Sequence, residues 1–186
     1  MLLDTLSYIG SKLNEENITW AVGASILLNH YGLVDKPNDI DIMVHIKDIE
    51  KADKVLTSLG KKKIQEKVST YDTEYFYEYV VNGIEVDVMA GMVINHGEGA
   101  YRYKFDNEAI TSKKIINGIE IPLTSLEDWY VLYQVIPNRE IKVKLIEDYL
   151  LKNRTKNSEL LIRALDGNLP NKVRNRIIQF MNSVQN

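Results

Sequence analysis

The stretch AVGASILLNHYGLVDKPNDIDIMV, residues 21–44, ends in an apolar run that holds two aspartates one residue apart, Asp39 and Asp41. Side chains at positions i and i+2 of a strand lie on the same face, so a strand here sets both carboxylates side by side. Like charges at that spacing repel, and removal from water sharpens the repulsion. A bound divalent cation is the simplest compensation. Ile40, Ile42 and Val44 form the other face of the same strand. Just upstream, ITWAVG reads as a short apolar strand closed by Gly23, and ASILLNHY as a short helix stopped near Gly32.

Further out, Leu2–Leu13 carries an apolar helical stripe. Residues 47–59 repeat it with Ile49, Ala52, Val55, Leu56 and Leu59, and Gly60 is the expected C-cap. Three strand-like runs follow: KKKIQEKVS, EYFYEYVV and IEVDVMA. Asn82-Gly83 between the last two is a strong hairpin signal. Residues 91–105 read as irregular, and 114–121 as a second hairpin about Asn117-Gly118. After Pro122 the texture turns helical. Segments are expected at about 126–135, 139–152, 158–165 and 171–184, the first opened by Ser125 with Glu127 and Asp128 in its first turn. The fold class expected is α+β, a mixed sheet flanked by helices over residues 1–121, followed by a helical region over 122–186.

The chain's 186 residues suffice for a domain with a sizeable core. With no cysteine, disulfides and thiolate metal sites are excluded. The first residues carry Asp4 and no basic run, and no apolar stretch reaches the roughly 18 residues of a membrane span, so a cytoplasmic location is expected. A net charge of −3 gives no general attraction to nucleic acid, and no extended nucleic-acid surface is expected. Residues 139–186 hold ten Lys/Arg against five Asp/Glu, which leaves the remainder of the chain strongly acidic. That asymmetry suits a metal-binding half facing a phosphate-binding half; it also matches ordinary drift of surface charge. His30, His45 and His96 lack metal-ligand spacing. Tyr75, Tyr77 and Tyr79 alternate as sheet-face packing does, and the acids among them disfavour base stacking.

The order strand, Gly23-Ala24-Ser25, short helix, Asp39-Ile40-Asp41 strand, with Asp87 in a later strand, resembles the nucleotidyltransferase fold of the DNA polymerase β superfamily. The likeness spans about residues 18–91 and continues more loosely through IPLTSLEDW, similar to small antibiotic nucleotidyltransferases and abortive-infection toxins. It implies transfer of a nucleoside monophosphate from an NTP to a hydroxyl of a small molecule, protein or RNA end, with Mg²⁺ or Mn²⁺ as cofactor. In such a reaction charge spreads over phosphate oxygens, so positioning and cations dominate catalysis. Asp39, Asp41 and Asp87 would be the metal ligands, with Asp87 holding the ion nearer the nucleophile or taking its proton. Gly23, Ala24 and Ser25 would receive the triphosphate. The chain departs from the family pattern at Ala24, usually Gly or Ser, and where a helical lysine is replaced by Tyr133 or Gln134. Arg139 and Lys142, i,i+3 neighbours on one helix face, would supply phosphate contacts in that lysine's place, with Lys144 pointing elsewhere. Glu85 shares the parity of Asp87 and is expected to face solvent. Two other readings stay open: a catalytically degenerate member that binds nucleotide or a partner, and an interaction module whose aspartates only cap strands.

Overall fold

The computed structural model describes residues 1–64 and 69–185. The chain opens with helix α1 (Leu2–Glu15), which buries Leu6, Ile9 and Leu13. Strand β1 (Trp20–Val22), helix α2 (Ala24–His30), strand β2 (Ile40–Val44) and helix α3 (Ile49–Leu59) follow. Next come strands β3 (Lys61–Lys62), β4 (Tyr75–Val81) and β5 (Ile84–Ala90), then a separate hairpin of β6 (Val93–His96) and β7 (Gly99–Arg102). Strands β8 (Ile110–Ile116) and β9 (Ile119–Thr124) return to the main sheet. Helices α4 (Leu126–Val135), α5 (Glu140–Asn153), α6 (Ser158–Leu165) and α7 (Asn171–Gln185) complete the chain.

The seven-stranded sheet runs β3-β4-β5-β2-β1-β9-β8. It is mixed: β2 is parallel to β5 and antiparallel to β1, while β1 is parallel to β9. This α+β architecture matches the class expected from the sequence. Both Asn-Gly pairs form two-residue turns with positive φ at each central residue, 51° and 77° at Asn82-Gly83 and 49° and 78° at Asn117-Gly118, the geometry that matches strand twist. The outer strands β3 and β8 carry Lys61, Lys62, Lys113 and Lys114, and the β8–β9 register shifts between Ile110 and Ser112. Apolar side chains of the sheet (Trp20, Ile42, Val88) and of the helices (Leu132, Ile146, Ile177) share one hydrophobic cluster.

Two local expectations change, and a third holds in a different conformation. The stretch over residues 91–105 is not irregular but holds the β6–β7 hairpin. Gly60 is the C-cap of α3 as expected, its N–H donating to the Leu56 carbonyl at 3.0 Å, but in an extended conformation with φ of −160°, where its lack of a Cβ lets it pack directly on the Val80 carbonyl of β4. Of KKKIQEKVS, only Lys61 and Lys62 form strand, and residues 65–68 lie outside the described residues.

Candidate functional site

The central pairing decides the site. Asp41 on β2 stands directly beside Asp87 on β5 in the parallel register, and Asp87 stands opposite Glu78 on antiparallel β4. Asp39 immediately precedes β2, and the Ser25 hydroxyl donates to its Oδ1 at 3.2 Å. Ala24, Ser25, Asp39, Asp41, Asp87, Arg139 and Lys142 all line one cleft of about 800 Å³. Seven of the eight residues singled out from the sequence therefore meet in one place.

Gly23 is the exception. It does not line the cleft; its N–H donates to the Asp41 carbonyl at 3.0 Å, and a Cβ there would land in the indole ring of Trp129. That ring is held rigidly. Its Nε1 donates to Thr124 Oγ1 at 2.8 Å, and Thr124 Oγ1 in turn donates to the Val22 carbonyl at 3.1 Å. Gly23→Ala is expected to cost about 1–3 kcal/mol, as overpacking of a fixed core does, and to lower Tm by several degrees in a thermal melt. An unchanged Tm would show that the indole has room to shift. The following residue, Ala24, takes φ of 45°, the left-handed region where glycine is at ease, so the departure from glycine is borne as backbone strain.

The carboxylates are electrostatically loaded. Burial pushes the Asp41 carboxyl up to about 8, with repulsion from Asp39 and then Asp87 adding to it. Asp87 is pushed up to about 6 by burial and by Glu78, Asp39 and Glu85, with Lys63 opposing them. Lys63 itself pairs with the exposed Glu85 at 2.6 Å, so Glu85 faces outward as expected. Lys142, which lines the same cleft, acts on Asp41 in the opposite direction. Burial and the neighbouring Arg139 lower its pKa, while Asp41 and Asp39 raise it. Lys142 stands 4.9 Å from the centre of the Tyr133 ring and within 3.4 Å of its hydroxyl. Tyr133 packs against Trp129 with ring centres 5.0 Å apart. Lys144 points away and pairs with Asp148 at 2.7 Å.

This donor set suits a hard cation in chemistry: carboxylates that repel one another, on adjacent strands, open to a cleft. Among the described residues no three His, Asp or Glu side chains stand close enough to form a preassembled metal cage. Mg²⁺ is commonly held by one or two carboxylates together with phosphate oxygens and water rather than by such a cage, so the residues fit an ion that arrives with its nucleotide.

Sequence reasoning missed a charged neighbour of Asp87 and one wall of the cleft. Glu78 was legible in principle: a two-residue turn at Asn82-Gly83 pairs Val81 with Ile84, and counting back three residues on each side sets Glu78 opposite Asp87. The wall formed by residues 71–76 with Met89 and Met92 had no such signal, because long-range pairing positions it.

A family model described as uncharacterised nucleotidyltransferase matches residues 1–136. Among solved structures, a candidate nucleotidyltransferase of Thermotoga maritima is 23% identical, with a TM-score of 0.60 over 81% of this chain and 92% of that one. ANT(2″)-Ia, crystallised with adenylyl-2″-tobramycin, is 14% identical, with a TM-score of 0.54 over 80% and 88% of the two chains. The lincosamide antibiotic adenylyltransferase LnuA, bound to lincomycin, is 16% identical, with a TM-score of 0.51 over 77% and 95%. At these identities the likeness is one of fold. No curated protein matches the chain. No helix among the described residues is long and apolar enough to cross a membrane.

Proposed function

We propose that this chain, which belongs to the family of uncharacterised nucleotidyltransferases, transfers a nucleoside monophosphate from an NTP to a hydroxyl of a small molecule, protein or RNA end. Residues 1–121 would form the catalytic core and 122–186 a helical subdomain that supplies the far wall of the cleft. The observation that carries the reading is the Asp41–Asp87 pairing, with Asp39 beside it, in a cleft that also takes in Arg139 and Lys142. Asp39, Asp41 and Asp87 would hold Mg²⁺ or Mn²⁺, which neutralises charge on the phosphate oxygens and carboxylates when bound. The acceptor oxygen attacks the α-phosphorus, the α–β phosphoanhydride bond breaks, and pyrophosphate leaves. Asp87 would hold the ion nearer the acceptor oxygen or take the proton of its hydroxyl, which leaves on the carboxylate or to water. Ser25 and the backbone around Ala24 receive the phosphates, and Arg139 and Lys142 add charge-assisted contacts to them.

The direct test offers each α-labelled NTP with Mg²⁺ to a mixed acceptor panel; label appearing in an acceptor with release of pyrophosphate supports the reading. The basic pair has its own test. Replacing Arg139 and Lys142 together with Gln should weaken NTP binding by about tenfold or more, a loss that grows from nucleoside to triphosphate. Lys144→Gln should change little. A double variant that binds ATP and adenosine in the wild-type ratio would show that this helix face only meets solvent.

Lys142 also favours a second reading. Its charge opposes those of Asp41 and Asp39, as it would in a catalytically degenerate member that binds nucleotide without transfer. Wild-type protein that binds NTP yet labels no acceptor would select it.

A further inference from the structure

The transfer reading leaves one wall of the cleft without a role. Residues 69–74 do not form a loose loop; they are stitched to β6 as an added edge. Asn95 N–H donates to the Thr70 carbonyl at 2.9 Å, Asp72 N–H to the Val93 carbonyl at 3.0 Å, and Glu74 N–H to the Gly91 carbonyl at 3.1 Å. Tyr71 bridges Ile94, and Val93 N–H donates to Thr73 Oγ1 at 3.3 Å. The wall continues on the strand that flanks Asp87, where Phe76 pairs with Met89 two residues beyond it. Asp87 and this wall line the same cleft, so an acceptor whose hydroxyl reaches Asp87 has the wall beside it.

Its chemistry is one-sided. From Tyr71 to Tyr77, the stretch that lines the cleft, the chain has two acids, four aromatic residues and no lysine or arginine. Glu74 is paired with Arg102 at 2.5 Å, whereas the Asp72 carboxylate lines the cleft with no ion pair among the described residues. Carboxylates beside aromatic faces attract ammonium groups, through charge-assisted hydrogen bonds and the negative ring face. Arg139 also lines the cleft and acts on Tyr71, so the preference for an ammonium over an anion is carried by Asp72. We infer that Tyr71, Asp72 and Phe76 form the acceptor subsite, and that it selects an amine-bearing, hydroxylated small molecule over an anionic acceptor such as an RNA end. This assignment rests on the transferase reading for its use, but its binding step can be read separately.

Three trisaccharide probes of similar size separate the charges: the glucosamine trimer with protonated amines, its tri-N-acetyl form, and trigalacturonate. Binding to the full chain is measured by titration calorimetry without nucleotide. The amine trimer should bind about tenfold or more tighter than either of the others. Asp72→Asn, an exposed substitution that keeps the side chain's size and the N–H bond to the Val93 carbonyl, should remove most of that preference, and Phe76→Ala should weaken the amine and acetylated trimers alike. Equal binding of the three, tightest binding of trigalacturonate, no binding of the amine trimer, or a preference that survives Asp72→Asn would overturn the assignment. The same samples are then given α-labelled ATP, GTP, CTP and UTP with Mg²⁺. Amine preference without nucleotide binding would refute the transferase reading and spare the subsite, while nucleotide transfer without the preference would refute the subsite alone.

Discussion

Asp87→Ala should retain NTP binding while losing nucleotidyl transfer by about 10² or more, the range of general-base and metal effects. Asp87 belongs to β5, one strand removed from the turn that holds Ala24 and Ser25, so its loss leaves the phosphate side of the cleft intact. It is also half-buried among acids, with Glu78 opposite and Asp41 alongside, so deleting the carboxylate removes repulsion and should not cost folding. Single-turnover transfer and equilibrium ATP binding, measured on the same preparation, separate the two effects. Equal loss of both would place Asp87 in nucleotide binding instead of on the acceptor, and no loss of either would remove it from the site.

The second large effect concerns Asp39→Asn with Asp41→Asn. This double variant should abolish Mg²⁺-dependent nucleotide binding and at the same time stabilise the metal-free fold. The sign follows from the Asp41 carboxyl, pushed up to about 8 in the folded chain from an ordinary value of 3.8. Between those values the folded state binds more protons than the unfolded state, so stability falls as pH rises. The penalty is absent below pH about 4, accumulates through neutrality and is complete above about 8. Thermal melts in EDTA should therefore show wild-type Tm declining from pH about 5 to about 8, with the decline flattened in the double variant. Parallel pH curves for the two proteins would mean that the carboxylates are already compensated. Calorimetry with Mg²⁺ and nucleotide supplies the other half of the test, and unaltered metal-dependent binding would contradict the assignment of Asp39 and Asp41.

How much of this could be read from the residues depends on how local each cause is. The helices α4 and α6 begin and end where periodicity puts them, and Asp39 and Asp41 share a face because alternation within a strand is a local rule, whereas their meeting with Asp87 depends on the long-range register of β2 with β5. The Asn-Gly turns fix their hairpins by a local rule too. The β6–β7 hairpin escaped because VINH and GAYR have no clean alternation. Distant partners hold it: His96 Nε2 lies 3.0 Å from the Asn168 carbonyl, and Glu98 accepts from Asn171. Glycines divide in the same way. Gly83 and Gly118 serve turns that the sequence announces, whereas Gly23 and Gly60 are small because Trp129 and the Val80 carbonyl, far along the chain, press on them. In the cleft, Arg139 and Lys142 were found through helical spacing, but the wall of residues 71–76 depends on its seam with β6, which no local pattern encodes.

An open sheet ends in two strands whose outer N–H and C=O groups can template another chain, and such edges invite aggregation. Here each margin carries its own deterrent. β3 is two residues long and both are lysines, while β8 sets Lys113 and Lys114 in its middle and is kinked by the irregularity near Ser112. An incoming strand would have to bury ammonium groups against its own backbone and follow a broken register. Ile115, 60% exposed on β8, is thus tolerated without becoming a seed for fibre growth. The same guard discourages partners that bind by strand addition at either margin of this sheet.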